Sequence, residues 1–337
     1  LADVGPTEFL QGLSLLSTYE QRQADLQNGK TGKTVAAVSA KREAVLNLPL
    51  TAYQRWAEKL TLGFLLADQF LRSEGFHSAK FLPYRSQLIP IAATMTFVGE
   101  RWMEPRNREK IARWYWCGVL GELYGGSTET RIALDFPQLL AWITDPSALE
   151  PATVSAAGFQ ASRLDTLRTR TSAAYRGIYV LLQRSGSRDF FWKARMIDVD
   201  RDEYHIDIHH IFPQKWCDDH GIPPRVYNSI INKTPISYKA NRMIGGRAPS
   251  EYLAQLQNHA NVQISTDEQD AILRSHLINP ALLRENDFNA FFEDRKSELL
   301  QLIQSTMGKA VVVGGESPAE DAADELEEPD YSELSVA

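Results

Sequence analysis

Cysteine is scarce in this chain. Cys117 and Cys217 are the only two among 337 residues. Two cysteines cannot build the disulfide framework of a small secreted domain, and they cannot supply a zinc site with four thiolate ligands. We therefore expect two reduced thiols in a cytoplasmic protein.

Long apolar runs are also missing. No stretch approaches the roughly 20 consecutive apolar residues that a membrane-spanning helix needs. The opening residues, LADVGPTEFL, lack a Met and the basic region of a signal peptide, which predicts a fragment or a processed chain. The composition, 43% hydrophobic and 23% charged, is that of an ordinary globular protein with length for two domains.

Basic residues are absent from the end of the chain. Residues 316–337 contain nine acids and no Lys or Arg, which leaves 34 acids against 36 basic residues elsewhere, a net charge of +2. The overall charge of −7 therefore comes from this tail. We expect residues 313–337 to be a disordered acidic tail that aids solubility or shields a basic groove.

The remaining sequence predicts a mainly α protein with one small two-stranded motif. Apolar residues recur at helical spacing through the first 143 residues, as in LTAYQRWAEKLTLGFLLADQFLRSEGF. The segment TDPSALEPATVSAAG (144–158), rich in Pro, Ser and Ala, is typical of a linker. We therefore predict a helical domain over residues 1–155 and a second domain over residues 156–312.

The chemistry is concentrated in the second domain. In YHIDIHHIFPQKW (204–216), alternating residues predict a strand that ends at His209 and His210. Downstream, IINKTPISYKANRMIGG (230–246) predicts a second short strand and then a helix that stops at Gly245-Gly246. The order is strand, loop, strand, helix.

This order, with His-His-Ile-x-Pro, then Asn-Lys, then Asn-Arg, resembles the HNH, or ββα-metal, nuclease motif. The resemblance implies that His210 is the general base and that His209 and Asn241 bind the metal. It implies further that Asn232 orients His210 through a side-chain or backbone hydrogen bond. Asp207 is a candidate hydrogen-bond partner for a histidine ring nitrogen.

A wider resemblance covers most of residues 80–260. HHIFPQKW, NSIINKTPIS and NRMIGGRAPSEYL resemble the C-terminal nuclease half of GmrSD-type modification-dependent restriction enzymes, of which SspE-like proteins are one branch. KIARWYWCGVLGELYGGSTETRIALDF resembles their helical connector. The resemblance implies restriction or anti-phage defence, modified or phage DNA as partner, and an N-terminal nucleotide-hydrolysing sensor domain outside this chain.

These residue types suit phosphodiester hydrolysis. A neutral His can accept a proton from water near pH 7. A sparse site that is completed by substrate phosphate suits a hydrated Mg²⁺, with Mn²⁺ as the alternative ion. Five nearby cations are candidates for phosphate contacts: Arg242, Lys239, Lys233, Lys215 and Arg247.

Two functions remain open from the sequence. The first is a metal-dependent DNA endonuclease that cuts one strand at a time. The second is a DNA-binding or partner-docking module without turnover. RNA cleavage would use the same chemistry as DNA cleavage.

Overall fold

The structure, a computed structural model, describes residues 4–77, 79–126, 128–196, 198 and 206–314. Over these residues the chain is mainly helical and contains one two-stranded antiparallel sheet. The predicted fold class, mainly α with a small sheet, is confirmed at this level. The acidic tail from residue 315 onward lies outside the described residues.

The first half of the chain is helical, as predicted. Its helices are α1 Pro6–Gln27, α2 Arg42–Leu46, α3 Leu50–Ser73, α4 Leu88–Val98, α5 Pro105–Leu120, α6 Thr128–Thr144 and α7 Ala152–Ala156. Helix α4 is apolar around almost its whole circumference, and α1, α3 and α6 pack around it. A Cβ atom at Gly63 of α3 would lie 2.3 Å from the carbonyl oxygen of Ala92, so the α3–α4 crossing requires glycine there.

The second half holds the sheet and further short helices. They are α8 Arg163–Thr166, α9 Ala173–Arg184, β1 Ile206–His210, α10 Gln214–Asp219, α11 Pro224–Tyr227, β2 Lys233–Ser237, α12 Tyr238–Ile244, α13 Pro249–Asn258, α14 Thr266–Ser275, α15 Pro280–Arg284 and α16 Phe288–Met307. The two strands and the helix follow in the predicted order, but the predicted loop between the strands contains α10 and α11. Helix α12 ends at Ile244, and its C-cap is Gly245, whose φ is +52°. That left-handed conformation favours glycine.

Helix α16 packs against α5, across the predicted boundary at residue 155. Arg113 Nε donates to the carbonyl oxygen of Met307 at 3.2 Å, and Cys117 Sγ lies 3.6 Å from the same oxygen. Buried apolar side chains of both halves belong to one core. The boundary between the two domains stays a prediction.

A buried arginine fixes the start of β2. Arg295 of α16 is fully buried, and Nη1 donates to the carbonyl oxygens of Ile231 and Lys233, the latter at 2.8 Å. Its Nε donates to the carbonyl oxygen of His276 at 3.2 Å. Burial lowers the pKa of Arg295 to about 9, so the guanidinium remains charged at neutral pH.

Both cysteines are buried free thiols. Burial raises the pKa of Cys117 to about 11 and that of Cys217 to about 12, so neither forms a thiolate near neutral pH. Within the described ranges, no helix combines the length and apolar content that crossing a bilayer demands.

Candidate active site

The register of the sheet decides where the two histidines point. Strands β1 and β2 pair antiparallel, with His210 opposite Lys233 and His209 opposite Thr234. Residues that face each other across an antiparallel pair share one side of the sheet, and neighbours along a strand point to opposite sides. His209 and His210 therefore leave the strand on different faces.

His210 is half-buried at the end of β1, and its Nε2 lies 2.9 Å from Oδ1 of Asn228. Its ring meets Tyr227 edge to face, with 6.0 Å between centroids. Burial, followed by the charge of Lys233, lowers the pKa of His210 to about 3. The imidazole is therefore neutral near pH 7, and with its Nε2 proton donated to Asn228, Nδ1 carries the lone pair.

Asn232 holds the chain that follows His210, and the side chain that contacts the His210 ring is Asn228. Asn232 is fully buried, and its Oδ1 accepts from the backbone N–H of Phe212 at 2.9 Å. Its Nδ2 donates to the carbonyl oxygens of Phe212 and Tyr227, both at 3.0 Å. These bonds, and the carbonyl oxygen of Asn232 that accepts from the backbone N–H of Ile211 at 2.8 Å, hold the backbone next to His210. The predicted orienting role of Asn232, through a side-chain or backbone hydrogen bond, stays a prediction.

One cleft of about 670 Å³ brings His210 and Asn241 together. His210 comes from the end of β1 and Asn241 from α12, as the predicted strand–helix order requires. The walls are formed by His210, Pro213, Gln214, Lys215, Asp218, Asp219, Asn241, Arg242, Ile244, Gly245 and Gly246. Two of the five predicted cations, Lys215 and Arg242, are therefore on the cleft.

Two carboxylates of the cleft were not predicted. Asp218 and Asp219 belong to α10, which begins at Gln214, so Gln214, Lys215, Asp218 and Asp219 share one helical face. Asp218 and Asp219 follow Lys215 by three and four residues, a spacing that indicates one face once the segment is assigned to a helix.

His209 lies apart from the cleft walls. It is 6% exposed and faces Thr234, whose Oγ1 is 2.6 Å from Nδ1 of the buried His276. The pairing of His209 with Asn241 as metal ligands stays a prediction. The side chain of Asp207 lies outside the described residues, so its predicted contact to a histidine nitrogen also stays a prediction.

The other predicted cations lie around the cleft. Lys233 Nζ donates to the carbonyl oxygen of Arg168 at 3.3 Å, and Arg247 Nη1 donates to that of Met243 at 3.3 Å. Lys239 Nζ lies 5.5 Å from the ring centroid of Phe191, on the far side of α12 from Asn241. Of the five, Lys215 and Arg242 are best placed to contact a phosphate in the cleft.

The donors in the cleft fit a sparsely held hard cation. In the part of the chain that the structure describes, no three His, Cys, Asp or Glu side chains are grouped closely enough to hold a metal. The cleft nevertheless offers the amide oxygen of Asn241 and the carboxylates of Asp218 and Asp219. Oxygen donors in small number suit Mg²⁺ or Mn²⁺, which retain water and bind substrate phosphate.

Comparison with known proteins leaves the family open. No protein-family profile matches the chain. Over 220 residues the chain is 28% identical to "Uncharacterized protein MJ0686" of Methanocaldococcus jannaschii. The match covers 58% of this chain and 37% of that protein, so the chain spans little more than a third of the relative's length. The geometry of the cleft therefore carries the functional argument.

Proposed function

We propose that the chain is a metal-dependent DNA endonuclease that nicks one strand at a time, with His210 as general base. The observation that carries this proposal is the meeting of His210 and Asn241 in one cleft beside Lys215 and Arg242. A neutral imidazole can act as general base, an amide oxygen can bind a hard cation, and two cations can contact a phosphate, so these groups support hydrolysis of a phosphodiester.

In the proposed reaction, Nδ1 of His210 takes a proton from a water molecule that attacks phosphorus. A bond forms between the water oxygen and phosphorus, and the bond from phosphorus to the 3′ oxygen breaks. Asn228 accepts the Nε2 proton, which places the lone pair of the neutral imidazole on Nδ1. Lys215 and Arg242 offset the charge of the phosphate. A phosphate anion in the cleft also favours the protonated imidazole that the step produces.

A metal ion would add to this arrangement. When bound, Mg²⁺ or Mn²⁺ on Asn241, and on His209 as the resemblance implies, would stabilise negative charge on a phosphate oxygen and on the departing 3′ oxygen. One base in one cleft accounts for one strand per visit, so a double-strand break requires two copies of the chain or two visits.

We place this activity in restriction or anti-phage defence, acting on modified or phage DNA. The support is the resemblance to GmrSD-type enzymes, which also implies a partner domain that senses the modification and hydrolyses nucleotide. The length of MJ0686 beyond the matched part is compatible with such a domain architecture.

Removal of divalent metal tests the proposed chemistry. With Mg²⁺ or Mn²⁺, the purified chain is expected to convert supercoiled plasmid to open circles before linear DNA accumulates, because strands are cut singly. EDTA should stop the conversion and added Mg²⁺ should restore it. Equal cutting in EDTA contradicts the metal-dependent mechanism, and retention of DNA without any cutting favours the binding module instead.

Replacing Asn228 by Ala is expected to lower the nicking rate about 10-fold, because His210 loses the acceptor that fixes its Nε2 proton. Asn228→Asp keeps an acceptor oxygen and should retain most of the rate. The readout is the initial rate of open-circle formation at saturating DNA. Equal rates for wild type and Asn228→Ala would show that Asn228 does not position the base.

A further inference from the structure

A closed turn at residues 188–195 lies between α9 and β1 in the chain. Arg188 and Arg195 form an antiparallel bridge that closes it. Trp192, at its tip, is 46% exposed, and Lys193 has a φ of +63°, a left-handed conformation that is costly for a residue other than glycine. We refer to residues 188–195 as the tryptophan turn. A large exposed ring on a strained turn calls for a physical explanation.

The tryptophan turn is fixed to the helix that carries Asn241. Asp189 is 1% exposed, and its Oδ1 accepts from the backbone N–H of Trp192 at 2.8 Å. Its Oδ2 accepts from the backbone N–H of Ser237 at 2.6 Å, and Oδ1 accepts from Ser237 Oγ at 3.1 Å. Ser237 caps the N-terminus of α12. The Asp189 carboxylate therefore joins the tryptophan turn to Ser237, the N-cap residue of α12.

A second contact ties the turn to β2. His276 Nε2 donates to the carbonyl oxygen of Arg188 at 2.7 Å, and His276 Nδ1 lies 2.6 Å from Thr234 Oγ1. Since a carbonyl oxygen can only accept, Nε2 carries the proton and Nδ1 accepts from the hydroxyl. The tryptophan turn is therefore fixed by two contacts, one to α12 and one to β2 through His276. Binding through Trp192 then requires little ordering of the chain.

Rings and cations alternate between the cleft and Trp192. Arg242, which lines the cleft, lies 5.7 Å from the ring centroid of Tyr238, one turn earlier on α12. Lys239 follows Tyr238 on α12, and its Nζ lies 5.5 Å from the ring centroid of Phe191. Phe191 and Trp192 meet edge to face at 4.9 Å. Phe191 is 1% exposed and serves as the support, whereas Trp192 is the exposed ring at the end of the row. Exposed rings close to cations are what proteins use to bind single-stranded nucleic acid.

The charges near the tryptophan turn also favour nucleic acid as the ligand. Arg188 pairs with Glu268 at 3.6 Å and Arg195 with Asp198 at 3.7 Å, so these two arginines are already matched by carboxylates. Lys239 packs on Phe191, whose ring meets Trp192 edge to face, so its positive charge lies one ring away from Trp192. An exposed ring with a cation in its neighbourhood suits a base and its phosphate better than it suits an apolar protein surface.

We infer that the tryptophan turn is a second contact for the nucleic-acid substrate, with Trp192 stacked on an unpaired base and Lys239 against the adjoining phosphate. This inference rests on the proposed function. It adds to that function a preference for DNA in which a base next to the cut strand is unstacked or unpaired. A single strand or a frayed end would meet this condition without the energy that opening a duplex requires.

The test uses a fluorescein-labelled single-stranded oligonucleotide and the full chain in EDTA, so that binding is measured by anisotropy without turnover. Trp192→Ala is expected to weaken binding on the order of 10-fold, and Trp192→Phe should retain most of it, because a second ring can still stack. Tyr53→Ala is the matched control, since Tyr53 is 44% exposed on α3 of the helical half. It should bind as wild type does.

A second readout reports stacking directly. Oligonucleotide should quench part of the wild-type tryptophan emission, and Trp192→Phe should lack that part. Equal affinity of Trp192→Ala and wild type overturns the inference and leaves the turn as a contact for a protein partner. Weaker binding by Trp192→Ala and Trp192→Phe alike, without loss of quenching in Trp192→Phe, overturns it as well.

The failure of this inference is distinguishable from failure of the proposed function. Nicking of plasmid by wild type together with unchanged binding by Trp192→Ala rejects the tryptophan turn alone. Absence of nicking, with binding that still depends on Trp192, rejects the nuclease and supports the turn. Wild-type protein that binds no oligonucleotide rejects the tryptophan turn, and it rejects the nuclease as well if plasmid is not nicked. Thermal unfolding of each variant confirms that the exposed substitution leaves the fold intact.

Discussion

Replacing His210 by Ala is expected to lower the rate of plasmid nicking by about 10²–10⁴-fold, the usual contribution of a positioned general base. The imidazole is neutral near pH 7 because burial lowers its pKa, and Asn228 holds its Nε2 proton. No other described imidazole lines the cleft and could replace it. The measurement is the initial rate of open-circle formation with Mg²⁺.

His220→Ala is the matched control for this prediction. His220 is an exposed histidine of the same region, stacked on Trp216 with 3.9 Å between centroids, and it does not line the cleft. It should cut as wild type does. DNA binding and thermal unfolding of His210→Ala should stay near wild type, because His210 is only half-buried and the amide of Asn228 can be solvated in its place.

Replacing Asn232 by Ala is expected to reduce the free energy of unfolding by about 2–4 kcal/mol, because two backbone groups of Phe212 and the carbonyl oxygen of Tyr227 lose buried partners. We expect the substitution to lower stability, and activity should fall only because a smaller fraction of the protein is folded. Urea unfolding monitored by tryptophan emission measures it.

Asn228→Ala is the comparison for Asn232→Ala. Asn228 is half-buried and contacts a ring, whereas Asn232 is fully buried and contacts backbone. We expect Asn228→Ala to change rate more than stability and Asn232→Ala to change stability more than rate. A stable Asn232→Ala protein with strongly reduced nicking would instead support the side-chain form of the orienting role that the resemblance implies.

The sequence predicted the elements of the site well because their signals are local. Alternation in YHIDIHH gives β1, and the run before Gly245 gives α12, so His210 and Asn241 meet as the order of elements requires. Neighbours along a strand point to opposite sides, and the register places His209 and His210 on opposite faces.

What the sequence did not predict depends on contacts between distant segments. Asn228 contacts His210 across 18 positions, and Asp189 contacts Ser237 across 48. No rule of sequence spacing predicts either contact, because the conformations of a loop and of a tight turn bring the two residues together. The sequence gives no local signal for the tryptophan turn, because the buried Asp189 carboxylate holds it through contacts to Trp192 and Ser237.

The most direct test is one agarose gel with four samples of supercoiled plasmid: wild type and His210→Ala, each with Mg²⁺ and with Mg²⁺ plus EDTA. The proposed mechanism predicts open circles only in the sample with wild type and free Mg²⁺, with linear DNA appearing later. Open circles formed equally fast by His210→Ala, at equal protein and equal DNA binding, would contradict the assignment of His210 as the base and of this cleft as the active site.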